Sequence, residues 1–412
     1  MLRSLTCLIA VLSSASLFAQ PAARELVVTN TRDSGSGSFR QVLLESQTLC
    51  ATSPCTIVFR VEEPLPSNGR YAIRPLSQLP EVRGWVKIDG PLRLARPEVE
   101  ILGVGAGDAH GLVLGRGCEI QVLGLTINGF TRSALEVLRG PYDESCRRDE
   151  LEVFPNTLIA RNHLTSNHRG VMSVDSAYVS IVDNTITHNV RSGIYATGGV
   201  YVEIARNNIS TNVGSGIFLD VGSRGGFPGG ADVHENSIVD NGEWGIARTD
   251  RGEYGIQRNA IALNRYQAID LNLDFETANR ANDDYNGVPN KPVLFSAQYD
   301  PATGKTVVRG HIKSQNVVGA SIEIDVYASR FLSDTGQASA EQWVGVRRFP
   351  GGDVDSDFTV ELDGDMRGLS INAATTRTRI VGLAKPPDVG SESHLFAIPS
   401  DTSELSNVLV VQ

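Results

Sequence analysis

A six-residue pattern, Asn-x-(Ile/Leu)-x-x-Asn, recurs five times in the middle of this chain, starting at Asn162, Asn184, Asn207, Asn236 and Asn259. The steps between copies are 22, 23, 29 and 23 residues. Two further apolar columns keep the same register. Ile159, Ile181, Ile204, Val233 and Ile256 each lie three residues before a first Asn, and Val171, Ile194, Ile217, Ile246 and Ile269 each follow a small residue. A period this short holds three strands and their turns but no useful helix, so the pattern predicts a solenoid in which each coil stacks on the last. Stacking puts identical residues about 4.8 Å apart, with Ile on Ile inside and Asn at the bends bonding its own backbone and the amide above. Leu125-Thr-Ile127-Asn-Gly-Phe130 with Ala134-Leu135 fits the same template with both Asn positions lost and reads as a sixth rung.

The longer steps mark insertions at about 139–153 and 221–232, and loops on a solenoid commonly line its binding face. Upstream, Ser38-Phe-Arg-Gln41 has capping-box spacing before an apolar run, which predicts a helix over Ser38 to Gln47 that lids the open end of the solenoid. Strand-like runs at Thr56 to Val61, Val86 to Ile88 and Val99 to Val104 supply the first coils. Beyond Asp274 a polar connector leads to alternating runs such as Ser321 to Tyr327 and Asp357 to Leu362. Such alternation over about 120 residues suggests an antiparallel β-sandwich. The expected organisation of this all-β chain is a leader at 1–19, cap and parallel β-helix at 20–275, linker at 276–290 and sandwich at 291–412.

The leader reads from Arg3, an apolar run from Leu5 to Phe18 and a small residue at Ala19, the layout of a cleavable secretory signal. No later stretch approaches the roughly 20 apolar residues of a membrane-spanning helix. The expected location is therefore extracellular or on the cell surface, with the periplasm as the variant. The formal charge is 37 − 47 = −10, or 36 − 47 = −11 once Arg3 leaves, which argues against a nucleic-acid partner. Four cysteines remain after the leader, and four cysteines allow three pairings. Cys50 with Cys55, and Cys118 with Cys146, is the favoured one.

The Asn-x-Ile-x-x-Asn-(x)-Gly-Ile coils resemble the parallel β-helix repeats of the pectate-lyase-like superfamily. The start, Leu26-Val-Val-Thr-Asn-Thr-Arg-Asp-Ser-Gly-Ser-Gly-Ser-Phe-Arg-Gln41, resembles the opening of secreted bacterial β-helix proteins that continue into a C-terminal β domain. The resemblance implies a right-handed parallel β-helix. It does not imply one activity, because that superfamily holds lyases, hydrolases, epimerases and adhesins. The Asn-Thr-Asp, Gly-His-Gly and Arg-Ile-Lys elements of its polygalacturonases do not stand in these coils, nor does the Arg-x-Pro-x-x-Arg of its lyases, so no catalytic residue is carried over.

Candidate sites come from the columns. Tyr195 and Phe218 follow inward isoleucines and should face outward one coil apart, with Met172 and Asp270 in the same column, as an aromatic platform for a sugar ring. Asp175, Asp220 and Asp250, with Arg248, follow this strand and would be the acids of an atypical glycoside hydrolase or lyase. The alternating column Arg161, Asp183, Arg206, Glu235, Arg258 reads as an ion-pair ladder that holds register. Asp274, Asp283, Asp284 and Asn286, with Asn290 beyond, could hold Ca²⁺ at the domain junction, although their spacing is not that of a standard calcium loop. Three readings follow: an exported, non-catalytic, monomeric protein that binds a polysaccharide or cell-surface glycan, which is preferred; an enzyme cleaving one; or a surface spacer without ligand.

Overall fold

The computed structural model describes residues 23–115, 119–138, 157–198, 200–220, 230–249, 253–275, 278–279, 289–314, 321–332, 336, 339–350, 353–382 and 395–412. Within these residues the solenoid is a stack of parallel strands in three sheets. Its regular rungs repeat one cycle, as in Thr157–Ala160, His163–Thr165 and Arg169–Val174, followed by Ala177–Val182, Thr185–Thr187 and Ile194–Thr197. Rung meets rung in register: Ile159 pairs with Ile181 and Ile181 with Ile204, Leu164 with Ile186, and Val171 with Ile194. The three columns read from the sequence are fully or almost fully buried and form one continuous core. Parallel pairing extends through the degenerate rung to Arg24–Val28 at the N-terminal end.

Each bend is fixed by its asparagine. Asn184 Oδ1 accepts from the backbone N–H of Asn162 and from its Nδ2, at 3.0 and 3.1 Å, while Asn184 Nδ2 donates to Ile159 O at 2.9 Å. The same contacts run through Asn207, Asn236 and Asn259, and the second asparagine of each rung builds a parallel ladder from Asn167 to Asn264. Where the degenerate rung has lost its asparagines, Leu125 and Phe130 still donate their backbone N–H groups to Asn162 and Asn167. The side-chain amides thus supply hydrogen bonds that strand backbone cannot make at a corner.

The column expected to be an ion-pair ladder is a bend column. Arg161, Asp183, Arg206, Glu235 and Arg258 all have φ between +52° and +59°. Asp183 and Arg206 do pair, at 2.9 Å, but Arg258 turns to the face of Trp343 and Glu235 lies 3.9 Å from His234. A left-handed turn fans these side chains outward instead of stacking them.

The lid is a helix, Phe39–Leu49, one residue later than expected, with Phe39 and Leu43 buried against the first rungs. Ser38 accepts from Gln41 N–H at 3.2 Å, but the Gln41 side chain reaches Glu45, so only half of the capping box forms. Cys50 and Cys55 form a disulfide at the foot of this helix. Cys118 and Cys146 lie outside the described residues, as do almost all of both insertions.

At the C-terminal end, Val293–Asp300, Lys305–Ser314 and Val354–Asp363 form one antiparallel sheet. It packs through Val308, Ile324, Val326, Phe358 and Ile371 on a second sheet built from Gln342–Phe349, Ser321–Ser329, Ser370–Gly382 and Leu395–Thr402. This second sheet continues the solenoid: Tyr254 of the last rung pairs in parallel with Asp401. The C-terminal unit also takes backbone donors from all three solenoid sheets. Ile256 N–H donates to Thr402 Oγ1 at 2.8 Å, Ile261 N–H to Ala340 O at 2.7 Å, and Leu271 N–H to Glu404 Oε1 at 3.0 Å. Tyr327, Ala340, Ala374 and Leu405 complete the solenoid core there. The sandwich is a cap as well as a domain.

Candidate functional site

Strand parity decides which residues face outward on the third sheet. Ile194 and Ile217 are inward, so the outer column runs Glu136, Met172, Tyr195, Phe218, Ala247, Asp270. The Tyr195 and Phe218 rings stack on each other, centroids 5.6 Å apart and 15° from parallel. Stacking along the solenoid axis uses one face of each ring, and both residues are half-buried on the outer side of the sheet. The Arg169 guanidinium lies 5.0 Å from the centroid of Tyr195. What this stack offers a ligand is chiefly ring edges and the polar groups around them.

Those polar groups are well defined. Tyr195 Oη donates to Asp220 Oδ2 at 2.9 Å, and Thr249 Oγ1 donates to Asp220 Oδ1 at 2.5 Å. Burial, together with the Asp220 carboxylate, pushes the Tyr195 phenol up. Arg169 is partly buried, makes no ion pair with the described residues, and has no hydrogen-bond partner for Nε. Burial, with the like charge of Arg191, holds its guanidinium below the ordinary value. Glu136, two rungs before Tyr195, lies 3.3 Å from His110 of the rung before it. Burial depresses His110 to about 4, and the same effect raises Glu136.

The other sequence candidates are placed as follows. Asp175 has φ +47° and lies over Gly198, where its Oδ1 would stand 1.8 Å from an added Cβ. Arg248 is not on this face: it is two residues beyond inward Ile246, pairs with Leu219 and Leu271, is fully buried and lies 4.9 Å from the Tyr254 ring centroid. Asp270 occupies the expected outer column but is fully buried, with Phe275 N–H donating to it at 3.3 Å. Burial raises its pKa. Asp274 is brought to Asp270 and to Glu404 of the cap. Asp250, Asp283, Asp284 and Asn286 lie outside the described residues.

A second polar group, missed in the sequence, lies on the outer face of the first sheet. Glu203 and Asp232 are direct neighbours across two rungs, and His234 Nε2 stands 3.6 Å from Glu203 and 4.0 Å from Asp232. Burial pushes Asp232 up to about 6, whereas the His234 imidazole holds Glu203 below the ordinary value and is itself raised by it. Parity carried the signal: each acid immediately precedes an inward residue, Ile204 or Val233, and so must face out.

The fold makes this chain a right-handed parallel β-helix protein with a β-sandwich cap. Residues 104–261 match the family model described as the right handed beta helix region. Similar solved structures include a tailspike protein, gp49, of Acinetobacter baumannii bacteriophage Fri1, described as a capsular polysaccharide depolymerase. It is 8% identical, with 94% of this chain and 85% of that one covered and a TM-score of 0.30. The enzymatically active domain of tailspike protein 2 from bacteriophage CBA120 is 9% identical, with 86% and 69% covered and a TM-score of 0.21. Likeness this distant carries no argument about activity. No curated protein matches the chain. Among the described residues no helix is long and apolar enough to cross a membrane.

Proposed function

We propose that this is an exported surface protein that binds a glycan across the third sheet of its β-helix, at the Tyr195–Phe218 stack. The observation that carries the reading is the stack's setting: partly buried rings edged by a carboxylate already hydrogen-bonded to Tyr195 and by Arg169, a guanidinium with an unused Nε donor. Sugars are bound by such mixed surfaces, with C–H groups on aromatic carbon and hydroxyls on fixed charges. Affinity electrophoresis against a panel of acidic and neutral polysaccharides tests it. The Tyr195→Ala/Phe218→Ala variant should lose at least about tenfold in affinity, or 1.4 kcal/mol, with its fold retained by circular dichroism; undiminished retardation would remove this face from consideration.

A second reading, cleavage of the glycan, is favoured by one observation: Glu203 and Asp232 share an imidazole while their proton affinities are pushed apart, as in an acid and base pair. Shortened polysaccharide chains after incubation, abolished in Glu203→Gln, would support it. Unchanged chain length leaves the binding reading alone.

A further inference from the structure

Arg93 and Arg96 stand directly opposite each other in a two-stranded hairpin, Leu92–Arg93 with Arg96–Pro97, inserted between strand Trp85–Asp89 of the first sheet and strand Val99–Leu102 of the second. Like charges in a direct cross-strand pair destabilise a hairpin. The turn breaks a second local rule. Leu94 and Ala95 have φ of +49° and +62°, a left-handed pair that normally falls to Asn-Gly, and Leu94 is 92% exposed at the tip. Neither arginine is compensated by a carboxylate. Among the described residues Arg93, Arg96 and Arg70 make no ion pair, whereas Arg40, Arg60, Arg83 and Arg132 in the same part of the chain each hold one at 2.5–2.8 Å. Arg70, Arg93 and Arg96 line one cavity of about 580 Å³, formed where the hairpin faces the turn at Asn68. Glu98 is the one carboxylate in that lining, so the wall carries 3 − 1 = +2 in a chain of net charge −10.

We propose that this cavity binds an oxyanion carried on a sugar, a carboxylate or a sulfate ester, clamped by Arg70, Arg93 and Arg96, and that it gives the protein a second, charge-selective contact with a glycan. The identity of the carrier rests on the glycan reading above; the anion site does not. A guanidinium presents a planar fork of N–H donors that matches the oxygens of such a group, and an anion between Arg93 and Arg96 replaces one repulsive pair with two attractive ones. The cavity has the volume of a small-molecule site, far more than one inorganic anion fills. Glu98 argues the same way, because a carboxylate repels a bare anion yet accepts a hydrogen bond from a sugar hydroxyl. Val99–Leu102, which follows the hairpin, lies three rungs before Thr185–Thr187, the strand that leads into Tyr195, so the cavity is separate from the third-sheet stack. Two contacts on one polymer hold it more tightly than either alone.

The test uses the full mature chain and three immobilised dextrans of equal length, unmodified, carboxymethylated and sulfated, with binding read by biolayer interferometry at one ionic strength. At least one charged dextran should bind at least about tenfold more tightly than the neutral one, and the two charged arms show which oxyanion the clamp takes. Arg93→Gln/Arg96→Gln should abolish that preference while melting no lower than the wild type, because it removes a like-charge pair. Tyr195→Ala/Phe218→Ala should keep the preference, which separates failure of this site from failure of the third-sheet reading. Equal binding to all three dextrans would overturn the proposal. So would a preference that survives in Arg93→Gln/Arg96→Gln, or one lost equally in Arg309→Gln/Arg347→Gln, which removes two exposed charges from the sandwich. A preference lost in Tyr195→Ala/Phe218→Ala would also overturn it, by moving the anion to Arg169.

Discussion

At the scale of single residues, the packing rule that organises the solenoid is steric: a column of glycines leaves room for an isoleucine methyl group and a backbone carbonyl of the next rung. A Cβ added at Gly170, Gly193, Gly216 or Gly245 would stand 2.3–2.7 Å from the Cγ2 of an isoleucine in the next rung. Ala134 and Ala268 break the glycine column, and both exceptions have a cause. Ala268 belongs to the last described rung, and the partner of Ala134 in the next rung is Leu164, which has no Cγ2. Leu164→Ile, an isomer of unchanged volume, should therefore cost about 1–3 kcal/mol by overpacking, and adding Ala134→Gly should recover most of it. Urea denaturation of the two single variants and the double variant measures the coupling, and strictly additive values would remove the explanation.

Asp325 faces the junction, is 1% exposed and, among the described residues, accepts only from Trp343 Nε1, at 2.8 Å. Burial, with nearby Glu323 adding to it, pushes its pKa up to about 6 from 3.8. A carboxyl raised on folding takes up a proton between those values, so its contribution is fully present below pH 3.8 and is lost as the pH rises through 6. Asp325→Asn should be more stable than the wild type at pH 8, by up to about 3 kcal/mol, and should lose that advantage at pH 4. Melting curves at the two pH values decide it; equal differences at both would show that the carboxylate is not the cause.

At the scale of elements, the asparagine ladders tie the rungs into one cooperative unit. Asn207 Oδ1 accepts from the N–H and Nδ2 of Asn184, and its own Nδ2 donates to Ile181 O and to Asn236. Asn207→Ala strands a buried backbone donor and an amide of the neighbouring rung, and at roughly 1–3 kcal/mol for each stranded group should cost several kcal/mol. Hydrogen exchange should show protection falling in the flanking rungs as well as at the site; a loss confined to residue 207 would mean that the ladder is not cooperative. These asparagines, like the three apolar columns, were legible because the same residue type recurs wherever the geometry recurs. The bend residues before them were not. Their φ is set by the ladder on either side, so Arg, Asp, Glu, Ser, His, Thr and Leu all occupy it, and nothing in such a mixture announces a left-handed turn.

The candidate site was legible only in part, for a related reason. The outward direction of Tyr195 and Phe218 follows from alternation, which would also have turned Arg248 inward and brought Glu203 beside Asp232. That Phe275 folds back over Asp270 is decided by the irregular chain after the last rung, and that Glu404 reaches Asp274 is an outcome of packing between segments distant in sequence.

At the scale of the whole molecule, a parallel solenoid has two problem ends, each exposing strand edges and an apolar core to other chains. The two ends are closed differently. At the N-terminal end a short amphipathic helix covers the first rungs through Phe39 and Leu43. At the other, the sandwich continues one sheet, supplies acceptors to all three, and buries Ile256, Ile261 and Leu271 beneath Tyr327, Ala340 and Leu405. A chain ending at residue 275 should therefore self-associate, eluting from size exclusion as multimers or aggregate under conditions in which the full chain gives its normal peak; an unchanged, monodisperse profile for the truncated chain would show that the cap is dispensable.

The solenoid, its period, the inward columns and the asparagine corners follow from the repeat alone, because a period of 22 to 23 residues imposes one local geometry that every copy shares. That the C-terminal sandwich seals the last rung, that Asp270 is buried and that Glu404 joins it emerge from the folded chain and not from the repeat. Those contacts occur once, between surfaces with no repeat to average over, and their partners are chosen by shape and by unpaired backbone donors that no local pattern encodes.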